Sequence, residues 1–419
     1  MTTQFAGLDF GTTNSTLALA SHDGGEPRLL RLEGDNRTIP TALFFSLEDG
    51  ETYFGRKAIH EYVDGAEGRF MRAVKSILGT SLMRETTQVG RERLSFETVI
   101  GRFLAHLRGK LEESGAEADH VVLGRPVRFV DEDDEADRAA QGQLEAAARA
   151  QGFRHVEFQF EPVAAALFFE RGLNHESLAL VVDVGGGTSD VSILRLGPER
   201  ARRLDRADDI LATGGVHVGG TDFDRLLNIA RIQPLLGLNT FTADGKRLMP
   251  VWYFNDLATW HRVNTLYTPK NLADVRGLVK EAAEPDKLRR LEHVLAHRSG
   301  HRLAGAAERA KIALTDSDSA PIVVSEPGLE IATQASRDGF EQVTRELVER
   351  IDRAIADALE TAGLSADAID TVILTGGGAQ VPAVAAAAAR PFPEARIARS
   401  DAFGSVGLGL GLDAARRFS

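Results

Sequence analysis

The chain has 419 residues, with 49 Lys and Arg against 61 Asp and Glu, a formal net charge of −12 and no cysteine. The missing cysteine excludes disulfides, thiolate metal sites and cysteine nucleophiles, and the lack of an apolar run of roughly 18 residues excludes a membrane-spanning chain. The acidic balance, with no long basic cluster to offset it, argues against a nucleic-acid partner, because duplex binding draws its affinity from Lys and Arg against phosphates.

Single hydrophobic cores rarely grow beyond about 250–300 residues, so this length predicts two lobes. The start, Met1-Thr2-Thr3-Gln4, shows no basic segment followed by an apolar stretch, so no signal peptide is expected and the cytoplasm is the expected compartment. From Phe5 to Leu19 an apolar strand ends in Asp9, a turn Gly11-Thr12-Thr13-Asn14 follows, and a second alternating strand completes the pattern of a tight hairpin. Phe96, Val99, Ile100, Phe103, Leu104, Leu107 and Leu111 follow Ser95, a candidate N-cap, and predict a helix before the short strand Val121-Val122-Leu123. The acidic run 131–135 is expected to be a solvated helix start. Pro162 at a first helical position, with Gly172 beyond the far end, places Glu161 at a helix mouth.

Residues 180–194 repeat the first hairpin with one glycine added: Asp183 ends an apolar strand, Gly185-Gly186-Gly187-Thr188 turns, and a second strand runs to Leu194. Residues 231–300 are broken by Pro234, Pro250, Pro269 and Pro285 and contain Trp252 and Trp260, so they look like an insertion whose aromatics either pack its own core or meet a partner. His293, His297 and His301 recur every four residues, but Gly300 interrupts the helix and the His-Glu-x-x-His arrangement is missing, so surface histidines are expected rather than a metal site. Phe340, Val343, Leu347, Ile351, Ile355 and Leu359 predict a long helix over 338–362 capped by Gly363. A third glycine turn, Gly376-Gly377-Gly378, follows the strand Thr371–Thr375.

Glycine lets backbone N–H groups approach an anion closely, so two Gly/Thr turns, each preceded by an Asp, would clamp a polyphosphate from both sides. Asp9 and Asp183 would then share one Mg²⁺, directly or through water. The alternative is two structural hairpins whose aspartates cap turns.

These residues resemble the DnaK-type heat shock protein 70 chaperone ATPase, within the wider actin, sugar-kinase and chaperone superfamily. The likeness lies at Gly7 to Ser15, Asp183 to Thr188, Gly219 to Asp224, Glu308 to Lys311, Gly376 to Pro382 and Asp401 to Gly409, covering nearly the whole chain outside 231–300. The resemblance implies an α/β, actin-like ATPase fold of two ribonuclease-H-like lobes with a nucleotide cleft between them. Lobe I would be 1–175 with an outer subdomain at about 38–95, lobe II 176–400 with an outer subdomain at about 219–337, and 401–419 a C-terminal helix packing back on lobe I. It implies ATP or ADP with Mg, and catalytic roles for Lys75, Asp9, Glu161, Asp183 and Thr188. Lys75 would orient the attacking water and contact the γ-phosphate; apart from the resemblance it would be an ordinary exposed helix lysine. Nucleotide contacts are implied at Gly11, Thr12, Thr13, Asn14, Gly185, Gly186, Gly187, Thr188, Gly219, Gly220, Glu308, Lys311, Thr315, Gly376, Gly377, Gly378 and Asp401, and Mg at Asp9 and Asp183.

The chain departs from the family at Ile312, where an arginine usually stacks on adenine, and at Gly378 and Gln380, which replace a serine and an arginine. Weaker or differently selective nucleotide binding is expected, since an alkyl group or a neutral amide does not replace a guanidinium. Ending at Ser419, the sequence is closer to the short YegD-type chaperone-like proteins that lack the peptide-binding domain. The expectation is a slowly ATP-hydrolysing, chaperone-like switch. Two alternatives stay open: a small-molecule kinase of the same superfamily, and a nucleotide-binding interaction module with negligible turnover.

Overall fold

The computed structural model describes residues 4–21, 25–116, 119–130, 133–203, 206–399 and 404–418. They fall into two compact units, Met1–Gly220 with Glu349–Ser419, and Thr221–Val348.

In the first unit, the apolar runs build two sheets of like topology. Gln4–Phe10 and Asn14–Ser21 pair antiparallel from Gln4↔Ser21 to Phe10↔Ser15, and His120–Arg125 and then His155–Phe160 add in parallel on the far side of Gln4–Phe10. The second sheet repeats this order: Ser177–Val184 pairs antiparallel with Ser189–Leu196 and in parallel with Thr371–Thr375, which pairs in parallel with Arg396–Arg399. The likeness of 5–19 to 180–194 is therefore the visible part of a duplicated sheet. Parallel neighbours need crossover connections. The helix Phe96–Glu113 precedes His120–Arg125, and the helix Asp134–Ala150 leads from it to His155–Phe160. Strands covered on both faces are apolar without alternation, as Leu180, Val181 and Val182 show by their complete burial.

Local signals act as the sequence predicts. The Ser95 hydroxyl accepts the Thr98 N–H at 3.1 Å, and Asp133 caps Asp134–Ala150 by accepting from Glu135 and Ala136. The long helix runs Arg337–Ala362, and Gly363, at φ +63°, ends it with its N–H bonded to Glu360 O and that of Leu364 to Leu359 O. Glu161 opens the helix Glu161–Glu170, with Pro162 in its first turn. That helix is apolar around its whole circumference and is buried accordingly. It packs against the helix Ser405–Arg417 so closely that a Cβ on Gly409 would lie 1.8 Å from the Ala164 carbonyl oxygen.

Further strands of the first unit form a three-stranded sheet, Thr52–Phe54, Ala42–Ser46 and Gly68–Arg72, and a hairpin of Thr86–Val89 with Glu92–Ser95.

The second unit holds the helices Gly220–Arg231, Val251–Ala258, Pro269–Glu281, Pro285–Ala296 and Gly300–Ala313, and the hairpin Ser319–Glu326 with Leu329–Ser336. Two expectations need correcting here. The aromatics of the insertion do not act as one group: Tyr253 and Phe254 are core, whereas Trp252 is 46% exposed, its ring stacked on Tyr253 at 3.7 Å. Adjacent helical residues point about 100° apart, so one face cannot bury both. The three histidines are not all at the surface either. His301 is buried, His293 is half-buried and bonded to Glu326 at 3.0 Å, and only His297 is exposed. The helix does break before His301, but at 297–299, where Arg298 takes φ +55°, and Gly300 opens the next helix; among the described residues no group of three or more such side chains is placed to hold a metal ion.

Candidate functional site

The two duplicated hairpins bring their turns face to face inside the first unit. A Cβ on Gly186 would lie 2.2 Å from Thr13 Oγ1, 3.0 Å from Thr12 Cβ and 3.1 Å from Thr13 N, and one on Gly187 would lie 3.1 Å from Thr12 Oγ1. Only glycine permits this approach. Gly219 packs on the Gly186–Gly187 peptide, where a Cβ would fall 2.4 Å from Gly187 N, and the Gly220 N–H donates to Gly185 O at 2.9 Å. Gly376, at φ +79°, lies against Asp183, and a Cβ on Gly378 would strike Val184. The hydroxyl that the family's serine would carry is therefore absent at a place with no room for it. The first turn is held from its own sheet: Thr41 Oγ1 donates to Gly11 O at 2.7 Å, and the Thr41 N–H to Thr13 O at 2.8 Å. Asn14 opens the second strand and pairs with Pro40.

Lys75 lies in the short 3₁₀ turn Val74–Ile77, entered through Ala73 at φ +55°. A non-glycine residue in this left-handed region carries strain that packing must hold. The ordinary-lysine alternative is excluded by burial: Lys75 is only 5% exposed and its ammonium pairs with the Glu161 carboxylate. The helix mouth thus puts Glu161 where strand ends put Asp9 and Asp183.

A fourth carboxylate joins them. Asp190 stands directly across the hairpin from Asp183, is fully buried, and accepts the Val127 N–H and the Thr188 hydroxyl. It is absent from the residues picked out in the sequence. Its signal there was an aspartate at the second position of the strand Ser189–Leu196, where the hairpin register sets it opposite Asp183. Like charges directly opposite each other destabilise a sheet, so such a pair marks a site with another purpose.

The electrostatics follow from crowding. Burial and then Glu161 push the Asp9 carboxyl well above the usual carboxylate range, and the same causes, with Asp190 and Asp9, raise Asp183. Asp190 is pushed up to about 7, by burial first and Glu161 second. Burial works against the Lys75 charge, but Glu161 and Asp9 outweigh it and leave the ammonium raised above its ordinary value. Four carboxylates thus act on one lysine, a surplus of negative charge that a divalent cation would relieve; among the described residues no three of them are placed to hold such an ion by themselves, so phosphate and water oxygens would complete its shell. The donor set, all oxygen with a glycine cradle beside it, suits Mg²⁺ with phosphate.

Of the other expected site residues, Glu308, Lys311 and Thr315 belong to the second unit, where Lys311 pairs with Asp224 at 2.8 Å and Ile312 is exposed. Asp401 lies outside the described residues.

The family model described as Hsp70 protein matches residues 5–232 and 280–397. The chain is 30% identical over 390 residues to the chaperone protein DnaK of Mycoplasmopsis agalactiae, covering 90% of this chain and 53% of that one. It is 27% identical over 409 residues to the chaperone protein DnaK of Thermus thermophilus, covering 90% and 55%. It spans about half the length of these curated relatives. With two duplicated sheets and the family match running along most of its length, the chain belongs to the Hsp70 family and has its actin-like ATPase fold.

Proposed function

We propose that the protein binds ATP with Mg²⁺ at the facing turns and hydrolyses it slowly, as a chaperone-like molecular switch. The observation that carries this reading is the side-chain-free approach of Gly186 and Gly187 to Thr12 and Thr13, beside four carboxylates and one buried lysine. The turn N–H groups of 11–13 and Gly187 and the Thr12 hydroxyl would hold the phosphates, while the Gly185 N–H closes its own turn on Thr188 O at 2.9 Å and the Thr188 hydroxyl would have to turn from Asp190 to join them. Asp9 and Asp183 would hold Mg²⁺, through water or directly; the ion would supply charge neutralisation at the phosphate oxygens. Glu161 and Lys75 would hold the attacking water. Its oxygen bonds to the γ-phosphorus as the bond to the β–γ bridging oxygen breaks, and its proton leaves toward Glu161 or the released phosphate. Such a reaction needs positioning and charge stabilisation rather than a covalent intermediate. Glu308, Lys311, Thr315 and Gly376 to Gly378 keep the nucleotide-binding roles proposed on family resemblance.

A protein partner is proposed to meet the insertion. Residues 233–279 lie outside the family match, and Phe241, Leu248, Val251 and Trp252 expose large apolar side chains there.

The test is nucleotide binding and phosphate release by the purified protein with ATP, ADP and GTP, with and without EDTA. Mg²⁺-dependent release from ATP that Lys75→Ala reduces by about a hundredfold is the expected result. Equal turnover in wild type and variant would refute the assignment of Lys75, and binding without release would favour the interaction-module alternative.

A further inference from the structure

Arg125, at the end of the strand His120–Arg125, touches none of the groups assigned to the reaction, yet it touches the supports of three of them. Its Nε donates to Pro126 O at 3.0 Å and its Nη2 to Val127 O at 3.2 Å and Asp137 Oδ2 at 2.8 Å; Nη1 donates to Gln141. Phe129 lies 5.3 Å and Phe160 5.2 Å from the guanidinium carbon, measured to the ring centroids. Each support then leads inward. The Val127 N–H donates to Asp190, Phe129 faces the Lys75 ammonium at 6.0 Å, and Phe160 is the residue on which the Glu161 helix begins. Asp137 completes the bracket by accepting the Phe129 N–H at 2.7 Å on its other oxygen. The arginine and Asp137 side chains are both nearly buried, at 12% and 11% exposure.

We infer that Arg125 is a positioning residue for ATP hydrolysis, fixing Asp190, Lys75 and Glu161 relative to one another through Val127, Phe129 and Phe160. The inference rests on the hydrolytic reading above. A planar guanidinium with donors in a rigid fork can serve four acceptors and two rings at once. A lysine offers neither the plane nor the fork. Loss of the bracket frees the 126–129 segment to shift, and displacements of about 1 Å at supporting groups cost on the order of a hundredfold in rate.

Arg125→Lys and Asp137→Asn are compared with Arg128→Ala, a neighbour on the same segment whose ion pair to Asp134 faces solvent. Arg125→Lys is expected to lower the single-turnover rate of phosphate release by about ten- to a hundredfold while the Kd for Mg-ATP stays within about twofold. Asp137→Asn should fall between, and Arg128→Ala should match wild type. A second readout needs no turnover: the Val127 amide proton in nitrogen–proton correlation spectra, shifted downfield by its carboxylate acceptor, moves upfield in Arg125→Lys. Unchanged release and an unchanged Val127 resonance in a folded Arg125→Lys overturn the inference. If wild type itself releases no phosphate, the hydrolytic reading fails, and the Val127 resonance alone decides whether Arg125 holds the segment.

Discussion

Gly186→Ala puts one methyl group between the two turns. The new Cβ would start 2.2 Å from Thr13 Oγ1, a contact that rotation about the Thr13 Cα–Cβ bond can relieve. The contacts to Thr12 Cβ at 3.0 Å and Thr13 N at 3.1 Å involve atoms fixed to the backbone, and rotation leaves them in place. Against an ordinary contact distance of about 3.5–4.0 Å, the turns must separate by about 0.5 Å with the threonine rotated, and by more than 1 Å without. A phosphate cradle opened by that amount loses several hydrogen bonds to charged oxygens at once, each worth about 1.5–3 kcal/mol. Affinity for Mg-ATP should fall by at least about a hundredfold, while the overpacking itself lowers stability by about 1–3 kcal/mol. Isothermal titration with Mg-ATP and a thermal melt of the apo protein separate the two effects. Adding Thr13→Ala to Gly186→Ala should restore stability in part by removing Oγ1, but not affinity. A Gly186→Ala protein that folds and binds Mg-ATP like wild type would refute the claim that the facing turns hold the phosphates.

Three further outcomes follow from packing and charge. Gly409→Ala, whose Cβ would lie 1.8 Å from Ala164 O, should destabilise by about 3 kcal/mol or more, whereas Gly142→Ala, with open space on an exposed helix face, should stabilise by about 0.5–1 kcal/mol; denaturant melts check both. Glu170 is bound twice by Arg206, at 2.8 and 2.9 Å, and also accepts the Gly197 N–H, so Arg206→Ala should cost about 3–5 kcal/mol in the same assay by stranding a buried carboxylate. His106 stacks on Phe54 at 4.3 Å, and burial followed by Lys110 holds its imidazole below its ordinary pKa. The unfolded chain then binds the proton first, so the contribution of His106 to stability is full above about pH 6.5 and is lost as pH falls through that value toward the depressed folded pKa. His106→Phe should flatten this acid limb in melts between pH 7 and pH 5.

Periodicity and punctuation made much of the fold legible before any coordinates. The two hairpins, the capped helices at Ser95 and Gly363, and the helix mouth at Glu161 are local features, set by residues within a few positions of one another. Their motifs also named most of the residues that meet at the facing turns. Asp190 was within reach of the same reasoning, because a hairpin turning through 185–188 sets it opposite Asp183.

What the sequence could not determine is whatever depends on segments far apart along the chain. The burial of Lys75 is one case: its spacing fits an exposed helix, and only the approach of the Glu161 helix, 86 residues later, makes it a paired core cation. Arg125 is another, since its role exists only once Phe129, Phe160, Asp137 and Gln141 converge on one guanidinium. Trp252 and His301 show the limit from the other side. Hydrophobicity says that a tryptophan tends inward and a histidine outward, but one turn of helix decides which way each points, and the structure leaves Trp252 exposed while it buries His301. Local sequence fixes conformation through backbone sterics and short-range hydrogen bonds, whereas burial and charge environment are properties of the neighbours that folding brings together.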